Sequence, residues 1–314
     1  MAKFRKNHQK EEYRGSYSNP NKKSVKYIIW FCLITALMYV LTRVDVSDWD
    51  MDRSSTADSS VSVSGDKASG VERNFLPTST TADVIHHKYY TLSYSEEHEQ
   101  PEWVAYKLTK DNLRKQRVPR AKKFKPDKAV ATTSAYHKDY SHSGYTRGHM
   151  APAGDMAFSK DAMRESFYMS NMTPQVKEFN GGIWRELEET VRDWAEQYGE
   201  LYVVSGPVLK SEQINTKIGR NEVSVPSYNY KVILYNNGKD SKATAYLMPN
   251  EKSTKTIKNY QVTIDEIEDL TGIDFFADFL DPSIEQSIEA NLDTKSWKYQ
   301  KKRFKKRLNK WNNF

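Results

Sequence analysis

YKVILYNNGKDSKATAYLMP, residues 230 to 249, consists of two apolar, β-branched and aromatic runs set around Asn236-Asn237-Gly238-Lys239-Asp240. An Asn-Gly step admits the positive backbone angle of a tight reversal, so this stretch predicts an antiparallel hairpin. LYVVSGPVL (201 to 209) is a short β-branched run closed by Gly-Pro and reads as a further buried strand. Elsewhere the period changes. IWRELEETVRDWAEQYG (183 to 199) places Ile183, Leu187, Val191 and Trp194 at helical spacing and ends in Gly199. TIDEIEDLTGIDFF (263 to 276) offers a second helix, with Thr263 or Asp265 as cap and Gly272 as stop. Strands and helices mixed without regular alternation point to an α+β fold, an antiparallel sheet flanked by helices, rather than a doubly wound one.

Around this domain the 314 residues are strongly segmented. Residues 1 to 26 are polar and basic, which fits a cytoplasmic N-terminus, and they lead into the apolar run YIIWFCLITALMYVLT (27 to 42). That run lies near the lower limit of about 17 residues for a bilayer span, and Lys26 and Arg43 could extend it by snorkelling. Positive charge precedes it and Asp45, Asp48, Asp50 and Asp52 follow. The expectation is a transmembrane signal anchor at 27 to 43 that places the later chain on the extracytoplasmic side. A cleaved signal peptide and a secreted product is the competing reading. The single cysteine, Cys32, lies in this run, so the domain has no intramolecular disulfide. Residues 44 to 82 have the Ser/Asp-rich composition of a disordered linker, and 83 to 297 the density of a core. The tail, 298 to 314, is basic. With Phe304, Leu308 and Trp311 at i, i+4 and i+7, it is either an amphipathic helix for nucleic acid or an anionic surface, or a solvated tail. A net charge of +7 suits a polyanionic partner without proving one.

HSGYTRGHMAPAGDM (142 to 156) gathers what phosphodiester chemistry needs. His149 could take a proton from water if its ring is kept neutral. Arg147 offers a planar fork of donors to phosphate, and Gly148 lets the backbone turn between them. Arg-Gly-His alone is weak, because a lone histidine is more often structural. SNMTPQVKEFNGGIWRELEETVRDW (170 to 194) adds Asn180, Trp184, Glu188 and Arg192 in steps of four, so one helical side could present an amide oxygen, a carboxylate and a guanidinium. That set suits hydrated Mg²⁺ beside a phosphate. By spacing alone, a helix cap and an ordinary i,i+4 ion pair explain the same residues.

Together the two segments resemble the DNA/RNA non-specific endonuclease family, the endonuclease G-like branch of the ββα-metal (His-Me finger) nucleases. Thr146-Arg147-Gly148-His149-Met150-Ala151-Pro152 is similar to that family's Asp-Arg-Gly-His motif followed by Leu or Met and then Pro. Asn171 to Gln175 and Asn180 to Glu188 match its Asn-x-x-Pro-Gln and Asn-x-x-x-Trp-x-x-x-Glu signature. Residues 89 to 109, Arg120 with Phe124 and Asp127, and the segments 201 to 209, 225 to 234, 245 to 250 and 270 to 276 follow in the family's order.

The resemblance implies a sugar-non-specific endonuclease acting on DNA and RNA, with His149 as general base and Asn180 as direct ligand of Mg²⁺, for which Mn²⁺ could substitute. It implies that Glu188 holds metal-bound water, that Arg147, Arg192 and Arg120 neutralise the scissile phosphate, and that Asn171 supports the site. A homodimer is a partner to expect, since dimers are common in similar nucleases. One departure stands out: Thr146 occupies the place of the family's leading Asp. A catalytically silent nucleic-acid-binding protein and a phosphodiesterase for small nucleotides are the alternative classes. The combination of a base with a metal ligand argues against the first.

Overall fold

The computed structural model describes residues 75 to 311. Seven strands form one antiparallel sheet in the order β1-β2-β3-β6-β9-β10-β11. They are β1 (Val84–His86), β2 (Thr91–Ser95), β3 (Gln100–Thr109), β6 (Glu200–Pro207), β9 (Tyr228–Asn236), β10 (Ser241–Pro249) and β11 (Gln261–Val262). Two small antiparallel pairs stand apart, β4 (Thr146–His149) with β5 (Met172–Gln175) and β7 (Ile214–Ile218) with β8 (Val223–Pro226). Helices are α1 (Lys110–Arg114), α2 (Lys160–Glu165), α3 (Arg185–Tyr198), α4 (Ile264–Thr271), α5 (Pro282–Glu289) and α6 (Lys301–Trp311). The fold is thus mixed, with an antiparallel sheet, as the patterning implied.

Apolar residues alternate between the two faces of the sheet. Val104, Tyr106, Leu201, Val203 and Ile233 pack with Trp184, Leu187, Val191 and Trp194 of the α3 region. Trp103, Ala105, Tyr202, Val204, Val232 and Leu234 pack on the other face with Ile264 and Ile267 of α4 and with Phe275 and Phe276. Both faces are covered, so the central strands read as continuous apolar runs. The hairpin turn forms as expected: Asn237 Oδ1 accepts from the N–H groups of Lys239 and Asp240, at 3.0 and 2.8 Å, and Gly238 takes φ +78°. Of the two candidate caps for α4, Thr263 is the one used. It forms a reciprocal capping box with Glu266, and Gly272 closes the helix at φ +75°.

Both ends of the domain differ from expectation. Phe75 is fully buried against Tyr202, Thr78 accepts a hydrogen bond from Trp103 Nε1 at 2.9 Å, and Thr80 bonds Glu102. Residues 75 to 82, expected as linker, are therefore tied to the domain, although Thr78, Thr80, Thr81 and Ala82 stay exposed. One aromatic anchor and a few satisfied hydroxyls suffice there, and composition does not reveal them. At the other end, Trp297 Nε1 bonds Ala243 O at 3.0 Å and its ring meets Trp194. The basic segment that follows forms α6, held by charge: Arg303 pairs with Asp193 and Glu189, and buried Arg307 pairs with buried Glu186. Lys301, Lys302, Lys305 and Lys306 face solvent. No helix among the described residues is long and apolar enough to cross a membrane. The anchor expected at 27 to 43 lies outside the described residues.

Removing one partner of a buried ion pair strands the other charge, which costs about 3–5 kcal/mol. Arg307→Ala is therefore expected to lower Tm by roughly 6–20 °C, whereas Arg307→Met combined with Glu186→Leu recovers most of the loss. Calorimetry on the three proteins checks this, and a single variant as stable as the parent contradicts it.

Candidate active site

Thr146 pairs with Gln175 and His149 with Met172 in the β4–β5 ladder. Asn171 fixes the end of this ladder. Its Oδ1 accepts from Ala151 N at 2.8 Å, and its Nδ2 donates to Ala151 O and Ser166 O at 3.0 and 2.9 Å. Gly148 does not make the turn that the sequence predicted between Arg147 and His149. It lies inside β4 because the side chain of Gln175 crosses it, and a Cβ there would meet Gln175 at 2.2 Å.

After β5 the chain makes a π-helical turn, Phe179–Trp184, broken at Gly182 (φ −102°, ψ −109°), before α3 begins. Asn180 is therefore inside a widened turn and caps nothing. Such π turns recur at functional sites. Trp184, one of the four residues spaced by four, is fully buried, while Asn180, Glu188 and Arg192 reach a common cavity. That cavity, about 590 Å³, is also lined by His149, Thr146, Arg120, Arg117, Arg185 and Lys177. Sequence reading missed Arg117, Arg185 and Lys177 because exposed cations carry no periodic signal. The structure does not place Arg147 on this cavity. Its guanidinium lies over the rings of Phe124 and Tyr140, at 5.3 and 5.5 Å, and it donates to His137 O. Asn171 is likewise buried behind the cavity wall.

His149 is buried, with its ring against Phe167 and Phe124 at centroid distances of 4.8 and 5.8 Å. Nε2 has no hydrogen-bond partner, and the ring's hydrogen bond is to the Arg147 backbone. Burial, reinforced by the Arg120 charge, lowers the imidazole pKa to about 3. The ring is neutral over the whole physiological range.

Thr146 Oγ1 donates to Gln175 O at 2.8 Å, and it accepts from Asn180 Nδ2, also at 2.8 Å. Having spent its proton on Gln175, the hydroxyl can only accept from Asn180, which fixes the amide orientation and leaves Oδ1 available. Asn180 Oδ1 and the Glu188 carboxylate are the oxygen donors that could hold a hard cation here.

Behind them lies a charge network. Arg192 Nη1 bonds Asp155 Oδ1 at 2.6 Å, and Tyr106 donates to Asp155 Oδ2 at 2.7 Å. Burial alone would depress the Arg192 guanidinium, but Asp155 and Glu188 outweigh it and hold its pKa above the usual arginine value. Burial pushes Glu188 up, opposed by Arg192 and by Lys231, a lysine wholly buried in β9 that bonds Ser205 and lies 4.8 Å from the Trp184 ring. Asp155 and Lys231 were also missed. Asp155 stands within the quoted motif segment, whereas Lys231 is a polar letter in an apolar strand.

The family described as DNA/RNA non-specific endonuclease matches residues 67–281. The mitochondrial nuclease EXOG of Danio rerio is 37% identical over 206 residues, which is 60% of this chain and 60% of that protein. Nuclease C1 of Cunninghamella echinulata var. echinulata is 35% identical over 218 residues, covering 65% of this chain and 86% of its own. The crystal structure of the EndoG/EndoGI complex, titled for the mechanism of EndoG inhibition, contains a chain with TM-score 0.58 and 35% identity, over 63% of this chain and 86% of that one.

The expected location, a membrane-anchored or secreted domain on the extracytoplasmic side with the membrane as partner, is overturned by the relatives. The Danio rerio protein is named as mitochondrial. Charge asymmetry orients an apolar segment within a membrane but does not say which membrane, or whether one receives it.

Because His149 titrates near 6.5 when unfolded and near 3 when folded, the unfolded chain binds more protons between those values. Stability is then complete above pH 6.5 and falls as pH drops toward 3. Urea denaturation between pH 7.5 and 4 is expected to lose about one proton's worth of slope in His149→Gln. Identical pH slopes in the two proteins would refute a buried neutral imidazole.

Proposed function

Because the chain belongs to the DNA/RNA non-specific endonuclease family, we propose that it is a Mg²⁺-dependent endonuclease that hydrolyses phosphodiester bonds of DNA and RNA without reading sequence and leaves 5′-phosphate ends. One observation carries this reading: His149, whose buried Nε2 has no hydrogen-bond partner, lines a cavity together with Asn180, Glu188 and several arginines. The β4–β5 pair followed by the π turn and α3 supports the ββα-metal form of the fold.

Neutral His149 accepts a proton from water at Nε2, while the Arg147 backbone holds the opposite edge of the ring and the Phe124 and Phe167 rings fix its plane. At a pKa near 3 the imidazole taken with the protein alone is a weak base. A phosphodiester beside it brings negative charge, offsets Arg120 and raises the pKa toward the working range. Proton affinity is thus turned up by the substrate itself. Arg120 and Arg192, with Arg117, Arg185 and Lys177, hold phosphate oxygens in line for attack. Contacts limited to phosphate and sugar leave the base sequence unread.

Mg²⁺, or Mn²⁺ in its place, would be held by Asn180 Oδ1 directly and by Glu188 through water, and when bound it would offset charge on the phosphate and the departing 3′ oxygen. The residues fit such an ion because Asn180 is oriented oxygen-outward by Thr146 and because Glu188 is the carboxylate on the cavity wall.

With MgCl₂, the full chain is expected to cleave both supercoiled plasmid and single-stranded RNA, and EDTA to stop both. His149→Ala should lower kcat by about 10²–10⁴-fold. Cleavage that persists in EDTA, or that survives the substitution unchanged, would falsify the reading. Thr146→Val removes the hydroxyl that accepts from Asn180 Nδ2 and donates to Gln175 O, so it is expected to raise the Mg²⁺ concentration for half-maximal rate by about 10–100-fold. Thr146→Asp, still an acceptor for Nδ2, should stay closer to the parent. A metal titration of initial rates separates them, and coincident curves for the parent and Thr146→Val would show that Asn180 is oriented by something else.

A further inference from the structure

The face of the sheet opposite the cavity carries a second set of convergent oxygens. Asp265 and Glu268 stand on α4 and Glu289 ends α5, and one carboxylate oxygen from each lies within 4.8 Å of the others. Glu289 is only 6% exposed, and its Oε1 is buried without a hydrogen-bond partner. A carboxylate in that state is costly unless a proton or a cation joins it. Its place at the C-terminal end of α5 adds the negative pole of the helix to the cost. The charges acting most strongly on it are all carboxylates, those of Glu268, Glu285, Asp274 and Asp265. Glu268 commits one oxygen, which accepts from Phe275 N at 2.9 Å, and its other oxygen remains.

We infer that Asp265, Glu268 and Glu289 form a structural site for a divalent cation of the Ca²⁺ class, distinct from the catalytic cavity and joining α4 to α5. The span fits: an ion with bonds of about 2.3–2.6 Å bridges oxygens up to about 5 Å apart. Ca²⁺ suits it better than Mg²⁺ because it accepts several carboxylates in irregular geometry, whereas Mg²⁺ demands a near-octahedral shell and keeps its waters. Such an ion ties together two helices that share one apolar core, that of Ile264, Ile267 and Ile288.

Thermal melts of the full chain at pH 7.5, in EGTA and in rising CaCl₂, test the site. Ca²⁺ at a hundredfold excess over its Kd is expected to raise Tm by about 5–10 °C. Glu289→Gln should melt no lower than the parent in EGTA, lose the Ca²⁺ response and cleave plasmid in Mg²⁺ at the parent rate. Asp265→Asn, at an exposed position, provides a second variant and should weaken the response. Asn180→Ala, altered only in the cavity, should keep it. The site is refuted if Ca²⁺ leaves the parent Tm unmoved, if Glu289→Gln responds as the parent does, or if Asn180→Ala abolishes the response.

Discussion

Four residues of β4 laid against four of β5 fix where the chemistry can occur. Side chains alternate along a strand, so a slip of one residue in this ladder would turn His149 out of its cavity. The register is held at both ends by side chains. Thr146 donates to Gln175 O at one end, and at the other Asn171 spends both amide hydrogens and its oxygen on Ala151 and Ser166. Gly148 lets Gln175 cross between them. Asn171 is therefore a positioning residue. It sets the backbone just beyond His149 and does not reach the cavity.

Charge placement follows from the same geometry. A cavity that receives a polyanion needs cations, and cations packed side by side repel unless acids stand behind them. Asp155 meets Arg192 from the sheet side, where the Tyr106 hydroxyl satisfies its other oxygen. Glu188 feels the positive charges of Arg192 and Lys231, so opposite charges of α3 and β9 act on one another across the core. Removing water from such groups is expensive, and here Arg192 meets the carboxylate of Asp155 while Lys231 donates to the Ser205 hydroxyl. On the α6 side, Arg303 and Arg307 meet Glu189, Asp193 and Glu186 of α3, so the helix whose cavity-facing residues serve the site is braced along its outer surface.

The sheet was legible in the sequence because its hairpin carries an Asn-Gly turn and its strands are apolar on both faces. α4 was legible as a helix stopped at Gly272, but its cap stood open between Thr263 and Asp265, and the reciprocal bonds of Thr263 with Glu266 decide it. The set of His149, Asn180, Glu188, Arg120 and Arg192 was nameable from motif and resemblance, and those residues do line one cavity. Arg147 was misplaced because alternation says which side of a strand a residue takes but not how far a long side chain bends toward neighbouring rings. The π turn was illegible for a related reason: Asn180, Trp184, Glu188 and Arg192 look equivalent at steps of four, yet a widened turn buries Trp184. Lys231 and Asp155 were hidden because they answer to partners distant in sequence. The tail was legible as basic and, in one of two readings, as an amphipathic helix, but its docking on α3 was not legible, because the arginines that dock it read as part of the charge.

The departure at Thr146 is resolved by hydrogen-bond accounting. A carboxylate in its place could accept from Asn180 Nδ2 but could not donate to Gln175 O, so one strand-end interaction would be lost while the amide orientation was kept. The hydroxyl does both. It also adds no charge. A carboxylate beside Asn180 would strengthen attraction for a cation and weaken it for phosphate, whereas threonine leaves the wall formed by Arg117, Arg120, Arg185 and Lys177 unopposed at that point. The two residue types thus solve one orientation problem with opposite electrostatic side effects, and this chain has the version that adds no negative charge to the cavity.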